Sequence, residues 1–150
     1  MTKLSHIDIN VTEYAKSIRF YDMILRPLGW KRLVCQKKFT TYTDGFMKIC
    51  ICPTEEKYIG SGFHRKRTGL NHIAFSVSTK NEVDDFYKNT LVKNNIECLY
   101  EEKPQGDDTY YGVFFEDPDR IKLEVVYSPQ YCDSLHWTNT LESDFDPYEK

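Results

Sequence analysis

Apolar and polar side chains alternate along residues 4–11, where Ile7, Ile9 and Val11 fall on one side and His6, Asp8 and Asn10 on the other. A period of two marks a strand with one buried face. Residues 70–77 repeat the pattern, with Ile73, Phe75 and Val77 against His72, Ala74 and Ser76. After each strand the apolar spacing lengthens to that of a helix. Tyr14, Ile18, Tyr21 and Leu25 make one stripe, and Val83, Phe86, Tyr87 and Leu91 make another. Thr12 stands where it can cap the first helix, and Thr79 with Glu82 forms a capping box for the second. Pro27 and Gly29 stop the first helix, while Asn94 and Asn95 end the second. Further strands are predicted over 31–36, 39–44 and 46–52, then over 96–102, 109–116 and 120–127. Between the last two, "EDPDR" (116–120) reads as a type I hairpin turn with Pro118 at its first central position. Arg120 sits where a left-handed residue is often needed and Gly would be cheapest; a left-handed Arg there costs on the order of 1 kcal/mol.

The two halves are one phrase written twice. "LSHIDINV" (4–11) recurs as "LNHIAFSV" (70–77), and the same shift of 66 carries Phe20, Tyr21 and Leu25 onto Phe86, Tyr87 and Leu91. Later the shift becomes 74, laying "MKICI" (47–51) over "IKLEV" (121–125), so the second half holds about eight extra residues in its loops. Each half reads strand, helix, then three strands. The expectation is an α+β fold of two βαβββ modules, forming a curved, partly closed mixed sheet around a cavity with helices outside. The modules span about 3–53 and 69–128 of one domain, with a loop at 54–68 and a C-terminal tail at 129–150. The side of the sheets away from the helices carries His6, Asp8, Asn10, Lys48, Cys50, His72, Ser76, Lys122 and Glu124. Both histidines are thereby expected to face one polar hollow.

Composition changes this picture little. At 150 residues, 40% hydrophobic and 29% charged, the chain suits a single globular domain. A net charge of -3 offers no basic field for nucleic acid, and "HRKR" (64–67) is too short to be more than a loop that meets an anion. No apolar run approaches the roughly 20 residues of a membrane span, and no signal-peptide pattern opens the chain. The five cysteines, at 35, 50, 52, 98 and 132, form no CxxC pair, which points to reduced thiols in a cytoplasm.

With His on the first strand of each half and Glu on the last, this duplicated unit resembles the vicinal oxygen chelate superfamily. That group holds glyoxalase I, extradiol dioxygenases, fosfomycin-resistance enzymes and bleomycin-binding proteins. "LSHIDI", "GLNHIAF" and "YYGVFFEDPDRIKLEVVY" carry the resemblance, which covers residues 3 to about 128. It implies one divalent ion, whether iron, manganese, zinc, nickel or cobalt, held by His6, His72 and Glu124. Two imidazoles and a carboxylate leave open positions for water and for a small substrate that chelates through vicinal oxygens. The implied reaction is an isomerase/lyase or a ring-cleaving dioxygenase, and family members pair their modules within one chain or across a homodimer.

The repeat makes Cys50 the counterpart of Glu124, either a fourth ligand or a small buried hydrophobe. Asp8 is a general base beside the metal or the hydrogen-bond partner that holds His6, and with Glu124 it is the candidate catalytic pair. Asn10, Lys48, Ser76, Tyr110 and Tyr111 are the candidate substrate-pocket residues, and Phe114 mixes packing with pocket wall. Glu124 has Lys122 or Lys48 as alternative partners to a metal. His64 sits in a loop that either closes over the hollow or is solvated, while His136 and Trp137 belong to the tail. The rival reading is a drug- or antibiotic-binding resistance protein of the same fold that holds no metal.

Overall fold

The structure is a computed structural model and describes residues 2–129. The first module runs β1 (His6–Val11), α1 (Tyr14–Leu25), β2 (Lys31–Cys35), β3 (Thr40–Thr43) and β4 (Lys48–Pro53). The second runs β5 (His72–Ser76), α2 (Lys80–Phe86), β6 (Gln105–Gly106), β7 (Tyr111–Glu116) and β8 (Lys122–Tyr127). Past Phe86 the second helix continues through a π turn and ends in a tighter turn at Asn94. Asn95 then turns left-handed at φ 55°, as its place after the helix predicted.

Each module folds one four-stranded sheet, in the orders β1-β4-β3-β2 and β5-β8-β7-β6. The histidine strands β1 and β5 are edge strands, each parallel to its neighbour. The register is the same in both: His6 pairs with Lys48 and His72 with Lys122. The predicted duplication is therefore real in three dimensions.

The apolar faces of the two sheets meet through the helices in one continuous core. Phe20 of α1 reaches Phe115 of β7 with ring centroids 6.4 Å apart, and Trp30 stands edge-on to Phe75 at 5.8 Å. Tyr21 O–H donates to the buried Asp117 carboxylate at 2.9 Å, another tie between modules. The two sheets stay separate and do not close into a barrel.

Two local expectations are corrected. Thr12 does not cap α1, whose start has no side-chain cap. Its backbone N–H and hydroxyl instead donate to the carboxylate of Asp119, because the "EDPDR" turn of the other module docks there. Residues 96–102 do not form a strand. Leu99 N–H donates to Phe114 O at 2.7 Å, but Tyr100 then turns left-handed at φ 71° and the ladder resumes only at Gln105. Gly106 is needed there, since a Cβ would lie 1.9 Å from the Tyr110 carbonyl oxygen. Arg120 is left-handed at φ 68°, the conformation that its place in the turn favours. Thr79 and Glu82 build the predicted capping box, Glu82 N–H donating to Thr79 Oγ1 at 3.2 Å.

Candidate functional site

Alternation along β8 turns Leu123 and Val125 to the core and leaves Lys122 and Glu124 on the opposite face. Glu124 is nonetheless only 1% exposed. Gly112, across on β7, makes the room: a Cβ there would stand 3.3 Å from Glu124 Oε1 and 3.1 Å from Val125 O. Tyr110 O–H donates to Glu124 Oε1. The other oxygen, Oε2, is buried and has no hydrogen-bond donor.

That oxygen faces His72. Nδ1 of His72 lies 2.7 Å from Asn71 Oδ1, an acceptor, so Nδ1 carries the ring's proton. In the neutral ring Nε2 then presents its lone pair to Glu124 Oε2 at 3.2 Å. Two lone pairs so close repel unless a proton or a cation sits between them. Ligand atoms about 2.0–2.2 Å from one ion and about 90–110° apart stand about 2.8–3.6 Å from each other. The observed spacing falls in that range, so this pair fits a metal. The expected alternatives are absent, since neither Lys122 nor Lys48 forms an ion pair among the described residues.

His6 lies elsewhere. Its Nδ1 is 3.1 Å from Ser5 Oγ, and it lines a recess with Asp8, Lys48, Cys50 and Cys52, all from the first module. Among the described residues no three His, Cys, Asp or Glu side chains come close enough to hold a metal ion. Within one chain, then, His6 does not join His72 and Glu124 in one cluster. His6 and the His72–Glu124 pair lie on different sheets, which share one apolar core.

Asp8 does not hold His6; Ser5 occupies that place. Asp8 pairs in register with Cys50, and Cys50 Sγ lies 3.4 Å from Thr41 Oγ1. Burial pushes the Cys52 thiol up, and the nearby Asp8 and Cys50 add to the effect. Asn10 and Lys48 are exposed on the same face of the first sheet. Ser76, at the far end of β5 from His72, opens into a cleft beside Pro27, Leu28 and Phe86.

Tyr110 and Tyr111 part company. Tyr110 reaches Glu124, whereas Tyr111 donates to Asp84 Oδ1 on α2 at 2.8 Å. Successive strand residues face opposite sides, so Tyr111 belongs to the helix side rather than to the pocket. His64 forms a local turn, its Nδ1 accepting from Lys66 N–H at 3.2 Å. The anion met by the "HRKR" loop is internal, Arg65 pairing with Glu116 of β7. His136 and Trp137 lie outside the described residues.

Sequence reading passed over Asn71, Cys52 and Tyr100. Spacing could have supplied Cys52, two residues from Cys50 on one strand face. Tyr100 carries no such signal, since its place depends on the left-handed turn. It helps to cover Lys122, which is 9% exposed. Lys122 Nζ lies 5.6 Å from the Tyr100 ring centroid and 5.1 Å from that of Phe114, and it donates to Tyr100 Oη at 3.4 Å. Removing an ammonium from water costs several kcal/mol, while a ring face returns about 0.5–2 kcal/mol.

The sequence model of the Glyoxalase/Bleomycin resistance protein/Dioxygenase superfamily matches residues 3–125. The chain is 33% identical over 125 residues to protein YqjT of Bacillus subtilis (strain 168), covering 82% of this chain and 97% of that protein. It is 29% identical over 147 residues to the metallothiol transferase FosB of Staphylococcus saprophyticus, covering 98% and 83% respectively. Among solved structures, a candidate glyoxalase from Bacillus halodurans is 36% identical, with a TM-score of 0.76 over 83% of this chain and 94% of the other.

Proposed function

The chain belongs to the Glyoxalase/Bleomycin resistance protein/Dioxygenase superfamily, and from that premise we propose that it is a divalent-metal-dependent enzyme acting on a small oxygen-chelating substrate. His72 and Glu124 would supply two ligands and His6 of a second copy the third. The observation that carries this reading is the approach of His72 Nε2 to the buried Glu124 Oε2 at 3.2 Å, where a neutral imidazole brings two lone pairs together with no donor between them. A buried carboxylate oxygen left in that state is costly unless a cation meets it.

A second copy enters because His6 sits on its own exposed sheet face, away from the other two. In a two-fold dimer the same patch pair forms twice, so the first module of each copy can complete the second module of the other. Bound between them, the ion would act as a Lewis acid toward a substrate chelating through two adjacent oxygens.

The protein's own groups have definable tasks. Asn71 orients the His72 ring, and Tyr110 engages one oxygen of Glu124 so that the other faces His72. Asp8 and the Cys50 thiol come with His6, the first as candidate proton acceptor and the second as candidate fourth ligand. Isomerase/lyase and ring-cleaving dioxygenase chemistry both suit such a site. The likeness to metallothiol transferase FosB along 98% of the chain favours metal-dependent thiol transfer as a second reading.

Elemental analysis of protein purified without chelator tests the proposal. We expect about one ion per chain, lost in both His72→Ala and Glu124→Gln. Protein carrying no stoichiometric ion, as expected of a metal-free binding protein, would overturn it.

A further inference from the structure

Lys122 is only 9% exposed, and among the described residues no carboxylate forms an ion pair with it. Two acidic side chains flank it: Glu116, its register partner on β7, and Glu124, two residues on. Both are engaged elsewhere. Glu116 receives Arg65 and Arg120, while Glu124 receives Tyr110 and faces His72. What surrounds Lys122 Nζ is aromatic, the Tyr100 and Phe114 rings standing edge to face with centroids 5.4 Å apart. Ring faces recover only part of the solvation an ammonium loses on burial.

A second observation points the same way. Tyr100 holds its backbone at φ 71°, a conformation that side-chain-bearing residues avoid. The strain is pinned from both sides, Leu99 N–H donating to Phe114 O at 2.7 Å and Glu101 N–H to Leu99 O at 2.9 Å. Strained residues of this kind gather where a side chain must be aimed. Here the strain sets a phenol against Lys122. The cluster also adjoins the candidate metal ligands, since the Phe114 ring packs edge-on against His72 at 6.4 Å.

We infer that Lys122, seated between Tyr100 and Phe114, is an anion-recognition site, and that the substrate carries an anionic group beyond its chelating oxygens. The shared chemistry is that of a carboxylate, a phosphonate or a phosphate ester, for which a lysine ammonium acts as a point charge with free donors. Assignment to the substrate rests on the metal-site reading above; the anion site itself does not.

Titration calorimetry with acetate, methylphosphonate and inorganic phosphate tests this on the full chain, alongside Lys122→Met and Lys122→Arg. Saturable binding of at least one probe is expected, weakened about tenfold or more in Lys122→Met and partly kept in Lys122→Arg. The preferred probe names the anion class. Should Lys122→Met fail to fold, isotope-labelled lysine in the unaltered protein gives the same readout, the Lys122 side-chain resonance moving with the probe. Equal binding by wild type and Lys122→Met, or no binding by wild type, overturns the inference. Elemental analysis of the same samples separates the two readings. An ion with Lys122-independent anion binding sinks only this site, whereas Lys122-dependent binding without an ion sinks only the metal.

Discussion

Tyr110 O–H donates to Glu124 Oε1 and thereby decides which carboxylate oxygen is left facing His72. Removing the hydroxyl frees the carboxylate to turn while leaving the ligand set intact. Tyr110→Phe should therefore weaken metal binding by about 10–100-fold, the usual range for a partner that orients a ligand. Folding stability should fall by about 1–3 kcal/mol, since a buried carboxylate oxygen loses its donor. Competition against a chelating dye reads the first quantity and thermal unfolding the second. Unchanged affinity would mean that Glu124 is held by its surroundings alone.

Gly112 keeps open the space in which that carboxylate sits, with a hypothetical Cβ 3.1 Å from Val125 O and 3.3 Å from Glu124 Oε1. Backbone on one side cannot retreat, so the carboxylate must. Gly112→Ala should cost about 1–3 kcal/mol of stability, as overpacking does, and lower metal affinity further than its effect on folding accounts for. Melting curves with and without added metal separate the two effects. A variant that loses stability yet binds metal as before would show that Gly112 serves packing only.

Much of this was legible in the chain. Period-two alternation placed His6, His72 and Glu124 on polar strand faces, and the register confirms that His6 and His72 are equivalent. The same rule, applied one residue at a time, would have separated Tyr110 from Tyr111. Other features depend on partners distant in sequence. Thr12 fits a cap by local chemistry, but Asp119, 107 residues away, takes its hydroxyl. Residues 96–102 suit a strand until a left-handed Tyr100 interrupts them. Whether two faces look at one another is set by how the modules pack, which periodicity within a strand does not encode.

Asp117 gives a pH signature independent of the site. Burial pushes its carboxyl from an ordinary 3.8 up to about 6, against hydrogen bonds from Ile121 N–H, Tyr21 O–H and Asp119 N–H that pull it down. The folded state thus binds this proton more tightly than the unfolded chain. Its stabilising contribution is full below the unfolded value and is lost as pH rises through about 6. The whole span is on the order of 3 kcal/mol. Asp117→Asn removes the titration while keeping an acceptor for the two backbone donors. Between about pH 4 and 6 the variant's unfolding free energy should therefore fall less with pH than that of wild type. Parallel curves would show that Asp117 titrates normally.

His6 and His72 lie on separate faces of one chain, so a composite site makes a counting prediction. His6→Ala and His72→Ala should each destroy every site in a homodimer, because each site needs one histidine from either copy. A mixed dimer differs. One of its two interfaces joins the two damaged modules, and the other joins two intact ones. Random mixing makes half the dimers mixed, so about one quarter of all sites should recover when the variants are co-expressed or refolded together. Metal content and activity should return to that same fraction. A site built within one chain gives no recovery at any mixing ratio, and that outcome would end the second-copy assignment for His6 while leaving the His72–Glu124 pair standing.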